Sequence, residues 1–307
     1  MELRHLRYFV AVAEELNFTR AAARLHIGQP SLSQQIQALE SELGVQLLAR
    51  TKRRVSLTDA GRRFLTSAYR ILNGAEQAID HARRTARGEL GELRIGFTSS
   101  LPFTALLPRL IQRYRAQCPA VTLTLREMFT AQQYAALEED QLDLGFVRYT
   151  GLAMPPGLTV REIHHDPLRL VIQADHPLAG RSEVSLAEVR DEGFITYPRG
   201  TGTGLVVLLR RLCQAAGFEP RIVQEAGEAT TQIGLVAAGL GIAVLPSPLE
   251  CVHIDGVRYL PLKDAGAYIA LGVATRQGPP SPLVANFLAN LEEARFGPPS
   301  EPNQVSA

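Results

Sequence analysis

Tryptophan is absent from this chain of 307 residues, and cysteine and methionine occur three times each. Cys118, Cys213 and Cys251 lie far apart and form no CxxC pair, which excludes a local metal site or a disulfide framework built on short spacings. Long apolar runs are missing too. No stretch approaches the roughly 18–20 residues needed to cross a bilayer. The opening "MELRHLRYFVAVAEELNF" has neither the uninterrupted apolar core nor the small-residue cleavage site of a secretory signal. A soluble cytoplasmic protein with no membrane partner is the expectation. Catalytic signatures are equally scarce, with no GxSxG elbow, no HExxH pair and no phosphate-binding P-loop. An enzyme carrying an accessory domain is therefore disfavoured.

The overall charge of +1 hides an asymmetry. Residues 1–90 carry 14 Lys and Arg against 9 Asp and Glu, a balance of +5, and the remainder carries −4. A basic front on an acidic back points to a polyanionic partner at one end only.

The front is helical. Leu3, Leu6, Phe9, Val10 and Ala13 recur at helical spacing, as do Phe18, Ala21, Ala22 and Leu25. "HIGQP" breaks the pattern, and Pro30 sits where a new helix begins. In that helix Leu32, Ile36 and Leu39 form an apolar side, and Ser and Gln cover the rest. A basic cluster follows at Arg50, Lys52, Arg53 and Arg54, and then "VSLT" alternates as a short strand does. Two helices joined by a tight turn, then a basic hairpin, is the plan of a winged helix-turn-helix. Amide side chains pair bidentately with adenine, and serine contacts any base, so Ser31, Ser33, Gln34 and Gln37 suit a DNA major groove. Gln29 and Pro30 open the same helix, and Arg50, Arg53 and Arg54 are candidate phosphate anchors.

A long helix is expected from Asp59 to Arg87, capped by Thr58 and ended by Gly88. Leu65, Ala68, Leu72, Ala75, Ile79, Ala82 and Ala86 alternate in steps of three and four, a seam suited to pairing with a second copy as a coiled coil. After Gly88 strands and helices alternate: "ELRIGFT", "VTLTLRE", "DLGFV", "GFITYP", "RIVQE", "GIAVLP" and "YIALGVAT" read as strands, with helical segments between them. That alternation predicts an α/β domain with a largely parallel sheet. The expected divisions are 1–58 for DNA binding, 59–88 for the linker helix and 89–297 for a two-lobed α/β domain. Its lobes would be about 89–163 plus 267–297, and 164–266, and the Pro-rich tail 298–307 is expected to lack order.

Within that domain, strand ends gather candidate ligand contacts. Ser99 and Ser100 lie where the first strand gives way to a helix, whose N-terminus favours an anion. Thr130 opens the next helix, Arg148 ends "DLGFVR", and Thr201 and Thr203 belong to the "GTGTG" loop. That loop has GxGxG spacing, not the GxGxxG of a dinucleotide fold. His164, His165 and Asp166 are sequential on a strand and point to alternate faces, a poor chelate. No metal and no catalytic residue is assigned, and no cofactor is expected beyond a small-molecule effector.

The segment "LRYFVAVAEELNFTRAAARLHIGQPSLSQQIQALESELGVQLLART…VSLTDAG" strongly resembles the N-terminal domain of LysR-type transcriptional regulators. "IGFTSS…LPRLIQRY", "LDLGFVR" and "GLVAAGLGIAVLP" are similar to the effector domain of the same family. The sequence departs from the family at Gln34, where arginine is frequent, and at Ala49, where an acidic residue is frequent. The resemblance implies a bacterial, nucleoid-associated regulator with a periplasmic-binding-protein-like (type 2) effector domain. It implies homodimers through the linker helix, commonly assembled into homotetramers, with RNA polymerase as a further partner if the protein activates. Ser100, Thr130 and Arg148 match effector positions of regulators of aromatic-compound catabolism. The implied inducer is a small organic acid, aromatic or muconate-like.

Overall fold

The computed structural model describes residues 1–50, 54–150, 155–202 and 204–295, with side chains described as far as residue 292. Contacts divide the chain between Arg84 and Thr85.

In the first unit, α1 (Leu3–Glu15), α2 (Phe18–Arg24) and α3 (Gln29–Leu43) precede a two-stranded hairpin, β1 (Leu48–Arg50) and β2 (Val55–Leu57). The hairpin is antiparallel, with Leu48 opposite Leu57 and Arg50 opposite Val55. Each helix starts where its sequence permits. The Asn17 side chain accepts from the backbone N–H groups of Thr19 and Arg20 at 2.9 and 3.1 Å, capping α2. Gly44, at φ 71°, takes the left-handed conformation that ends α3. The apolar residues predicted for these helices meet in one core, where Leu6, Phe9, Ala21, Ala22, Leu32, Ile36 and Leu39 pack with Leu47, Leu48 and Ala68. Fully burying one such large side chain is worth about 1.5–3 kcal/mol, so this small unit can hold its shape.

The helix α4 (Asp59–Ala86) follows, and the contact division assigns almost all of it to the first unit. Thr58 Oγ1 accepts from Gly61 N–H at 2.9 Å, the predicted cap. Gly61 has a second reason to be glycine, since a Cβ there would lie 2.0 Å from the Leu47 carbonyl oxygen. The predicted seam splits into two parts. Leu65, Ala68 and Leu72 pack on the unit's own core, whereas Ile79, Ala82 and Ala86 face solvent.

In the second unit, β3 (Gly91–Phe97), α5 (Leu106–Gln117), β4 (Val121–Glu127), α6 (Thr130–Glu138) and β5 (Leu144–Tyr149) lead into β6 (Leu158–Gln173). Then come β7 (Gly193–Thr196), α7 (Gly204–Ala215), β8 (Arg221–Glu225), α8 (Ala229–Ala237), β9 (Ile242–Pro246), β10 (Val257–Pro261), β11 (Tyr268–Arg276) and α9 (Pro282–Arg295). The sheet order is β4-β3-β5-β11-β6-β9-β7-β8, with β10 on β6.

The expectation of a largely parallel sheet needs correcting. Parallel pairs lie at the two ends: β3 with β4 and β5, and β7 with β8 and β9. The middle is antiparallel, β11 with β5 and β6, and β6 with β9 and β10. The strands read from the sequence leave out β10 and most of β6, of which only His164–Asp166 was placed on a strand; β6 has 16 residues. Its stretch "REIHHDP" breaks the apolar alternation that marks a strand, yet main-chain pairing to β11 carries it through. Two main cores flank these central strands. One gathers Leu168 through Ile269, and the other gathers Leu93 through Ile163 with Leu271 through Leu291.

Candidate functional site

In the first unit, α3 buries Leu32, Ile36 and Leu39 and leaves Gln29, Pro30, Ser31, Gln34 and Gln37 exposed on its other side. Ser33 is half-buried and accepts from Arg50 Nη1 at 3.5 Å. Arg50 is more committed than a phosphate anchor should be. It ion-pairs with Glu40 at 2.9 Å, and its guanidinium sits 4.8 Å from the centroid of the Phe18 ring. Glu40 in turn accepts from the backbone N–H groups of Leu47 and Leu48 at 2.8 and 3.0 Å. Arg50 therefore fixes the hairpin against α3, a structural role the sequence reading did not foresee. Arg54 is exposed, and Lys52 and Arg53 lie outside the described residues.

The second unit contains a cavity of about 220 Å³. Its walls come from Thr98, Ser99 and Ser100 after β3, Glu127 and Phe129 around the end of β4, Arg148 on β5, and Tyr197, Leu205, Glu228 and Pro246. Arg148 is 4% exposed. It ion-pairs with Asp166 on β6, which is buried as well, and its Nε donates to Ser100 Oγ at 3.2 Å. His164 Nε2 lies 3.5 Å from the other Asp166 oxygen. Burying an ion pair is costly unless its hydrogen bonds are filled. Here one donor is left over, because Arg148 Nη2 has no partner among the described residues, and neither has the buried hydroxyl of Thr98. Across the cavity Phe129 and Tyr197 stand edge to face, 6.2 Å between centroids. Burial pushes the Tyr197 hydroxyl up to about 12, against the opposing effect of its hydrogen bond with Ser99. The phenol is thus neutral at physiological pH.

The predicted effector residues separate. Ser99, Ser100 and Arg148 line this cavity, although the Ser100 hydroxyl is spent on positioning Arg148. Thr130 does not line it. Its hydroxyl donates to the Arg148 carbonyl at 3.1 Å and accepts from the Arg148 N–H at 3.2 Å, tying α6 to β5. Thr130 and Thr201 border a different hollow, and Thr201 Oγ1 donates to the Pro198 carbonyl at 3.0 Å. Thr203 lies outside the described residues. The helix-terminus argument for Ser99 and Ser100 also fails, because a short 3-10 turn, Leu101–Phe103, follows them and α5 begins only at Leu106. Sequence reasoning missed Thr98, Glu127, Tyr197, Glu228 and Asp166. Asp166 entered the sequence reading only as part of a poor chelate, and Glu127 only as the end of the strand "VTLTLRE".

Comparison with known proteins settles the family. Residues 3–62 match the model of the bacterial regulatory helix-turn-helix protein, lysR family, and residues 86–295 match that of the LysR substrate binding domain. This chain belongs to the LysR family of transcriptional regulators. It is 46% identical to the HTH-type transcriptional regulator YnfL of Escherichia coli (strain K12), covering 96% of this chain and 99% of YnfL. It is 37% identical to the HTH-type transcriptional regulator BenM of Acinetobacter baylyi, covering 95% and 96%. The crystal structure of full-length CbnR complexed with its target DNA matches with a TM-score of 0.82 at 29% identity, covering 96% of this chain and 100% of CbnR. As a LysR-type regulator the protein binds DNA and responds to a small-molecule effector, and it is not an enzyme. Among the described residues no helix is long and apolar enough to cross a membrane.

Proposed function

We propose that this LysR-type regulator reads its operator with Gln29, Ser31, Gln34 and Gln37 of α3 in the major groove, while Arg53 and Arg54 contact phosphates. The signal is a small organic acid held in the cavity beside Arg148. The observation that carries this reading is the buried Arg148 of the cavity wall, whose Nη2 has no partner among the described residues, as the hydroxyl of Thr98 in the same wall has none. An unfilled buried donor costs about 1–3 kcal/mol, which an incoming carboxylate oxygen would recover. Because Asp166 already balances the Arg148 charge, the acid is recognised by directed hydrogen bonds more than by net charge.

The solvent-facing end of the α4 seam, with Ile79 at 49% exposure, supports a homodimer through this helix, assembled further into a tetramer. The effector favours one arrangement of the oligomer over another, and DNA contacts shift with that population. RNA polymerase would be the further partner if the protein activates, and the cytoplasm its compartment.

Fluorescence anisotropy tests this reading, with DNA from beside the protein's own gene, two salt concentrations and a panel of small carboxylates. The expected result is tight, salt-dependent, sequence-dependent binding that one class of acid alters, and weaker binding by the Ile79→Glu variant. Binding that no acid alters would remove the effector reading. Failure to prefer the operator over unrelated DNA would remove the assignment of α3.

A further inference from the structure

The mouth of the cavity carries two carboxylates that the acid-binding reading does not use. Glu127 is the last residue of β4, and Glu228 directly precedes α8. Both face solvent, both line the cavity, and their side chains are in hydrogen-bond contact with each other. Glu228 occupies the capping position of α8, yet its side chain accepts no hydrogen bond from that helix. Neither carboxylate forms an ion pair among the described residues. Burial and the adjoining Glu228 push the Glu127 carboxyl upward from its ordinary value. Deeper in, the polarity reverses. Arg148, 4% exposed, and Thr98, 7% exposed, line the same cavity, and among the described residues Arg148 Nη2 and Thr98 Oγ1 have no partner.

We infer that the effector is amphoteric, with an acceptor, carboxylate-like group against Arg148 and Thr98 and an ammonium or comparable donor between Glu127 and Glu228. The inference rests on the acid-binding reading above and narrows it. A cation at the mouth would offset the repulsion of two adjacent carboxylates. A dicarboxylate would set its second charge against that pair, so this site selects against the muconate-like acids that family resemblance suggests. The apolar wall between the ends, with Phe129, Tyr197 and Leu205, suits a flat or unbranched spacer.

Isothermal titration of the full-length protein with three rigid para-substituted probes separates these cases. The probes are benzoate, 4-(aminomethyl)benzoate and benzene-1,4-dicarboxylate. The expected order places the aminomethyl compound about tenfold tighter than benzoate, the worth of one charge-assisted hydrogen bond, with the dicarboxylate weakest. In the Glu127→Gln/Glu228→Gln double variant that preference should collapse and the dicarboxylate should gain. The thermal midpoint of the unliganded variant verifies that it folds. Benzoate or the dicarboxylate binding as tightly as the aminomethyl compound, or a preference the double variant leaves untouched, overturns the inference and leaves the acid-binding reading standing. Binding by none of the three overturns both.

Discussion

The two units prepare for their ligands in opposite ways. On α3 of the first unit, Gln29, Ser31, Gln34 and Gln37 stand in solvent, where water satisfies them and folding asks nothing of them. In the second unit Arg148, Asp166, Thr98 and Tyr197 are buried, and each needs a compensating partner. Arg148 has Asp166 and Ser100, and Tyr197 has Ser99. Among the described residues Thr98 Oγ1 and one nitrogen of Arg148 have none. A convex reading surface can thus be altered without touching stability, whereas in the cavity ligand recognition and folding draw on the same groups.

The contrast is broken most strongly at Arg148. Arg148→Met strands the Asp166 carboxylate in the interior with only the neighbouring His164, and removing one partner of a buried pair costs about 3–5 kcal/mol. Calorimetry of the full chain should show the transition of the second unit falling and that of the first unchanged. Arg148→Met/Asp166→Leu should recover most of the lost stability, and carboxylate binding should stay absent. Equal destabilisation by the double and single variants would mean that the pair is not what ties β5 to β6 across the intervening β11.

A middling effect is expected on the other side of the comparison. Gln34→Ala and Gln37→Ala should each weaken operator binding by about 1–3 kcal/mol if they pair with a base edge. The unfolding midpoint should move by less than about 0.5 kcal/mol, as for exposed sites away from caps and cores. Anisotropy against operator and scrambled DNA checks this, since loss of a base contact lowers the first affinity and spares the second. An equal loss on both sequences would show that these amides touch only backbone.

Legibility in the sequence followed the same divide. The first unit is built from contacts within short helices, so Leu32, Ile36 and Leu39 already point inward by spacing, and the amide face follows by elimination. The Thr58 cap is likewise local. The hidden part is Arg50, whose partners Glu40 and Phe18 lie far along the chain and turn a presumed phosphate anchor into a brace. In the second unit most strands, central β11 among them, were visible as apolar runs, but the extent of β6 was not, because its polar residues are tolerated by pairing on both sides. The cavity is assembled from stretches scattered between Thr98 and Ile269, and no periodicity announces which side chains converge. Ser99, Ser100 and Arg148 were found because they end strands. Glu127 ends a strand too, but a carboxylate there reads as an ordinary surface residue until Glu228 is placed beside it. Thr130 shows the reverse failure, a polar residue at the right end of the right helix whose hydroxyl is used up by the main chain of β5.

The smallest effect comes from a polar contact of the second unit that lies away from the cavity and is fully satisfied. Asp143 accepts from the Arg94 backbone N–H at 2.7 Å, from Nε at 3.1 Å and from Nη2 at 2.8 Å. Burial alone would raise its pKa, but these hydrogen bonds and the Arg94 and Arg276 charges hold the carboxyl below the usual aspartate range. With a folded-state pKa below the unfolded one, the folded protein binds fewer protons near pH 4. The stabilisation is therefore complete at neutral pH and is lost as the pH falls from about 4 through the lowered folded value. Asp143→Asn keeps the shape and removes the charge, so it should cost about 1 kcal/mol at pH 7. The gap between variant and wild type should close as urea unfolding is repeated at successively lower pH below 4. A gap that persists unchanged under acid would mean that the carboxylate contributes by shape alone. The cavity, with its unfilled donors, would then be where charge matters in this unit.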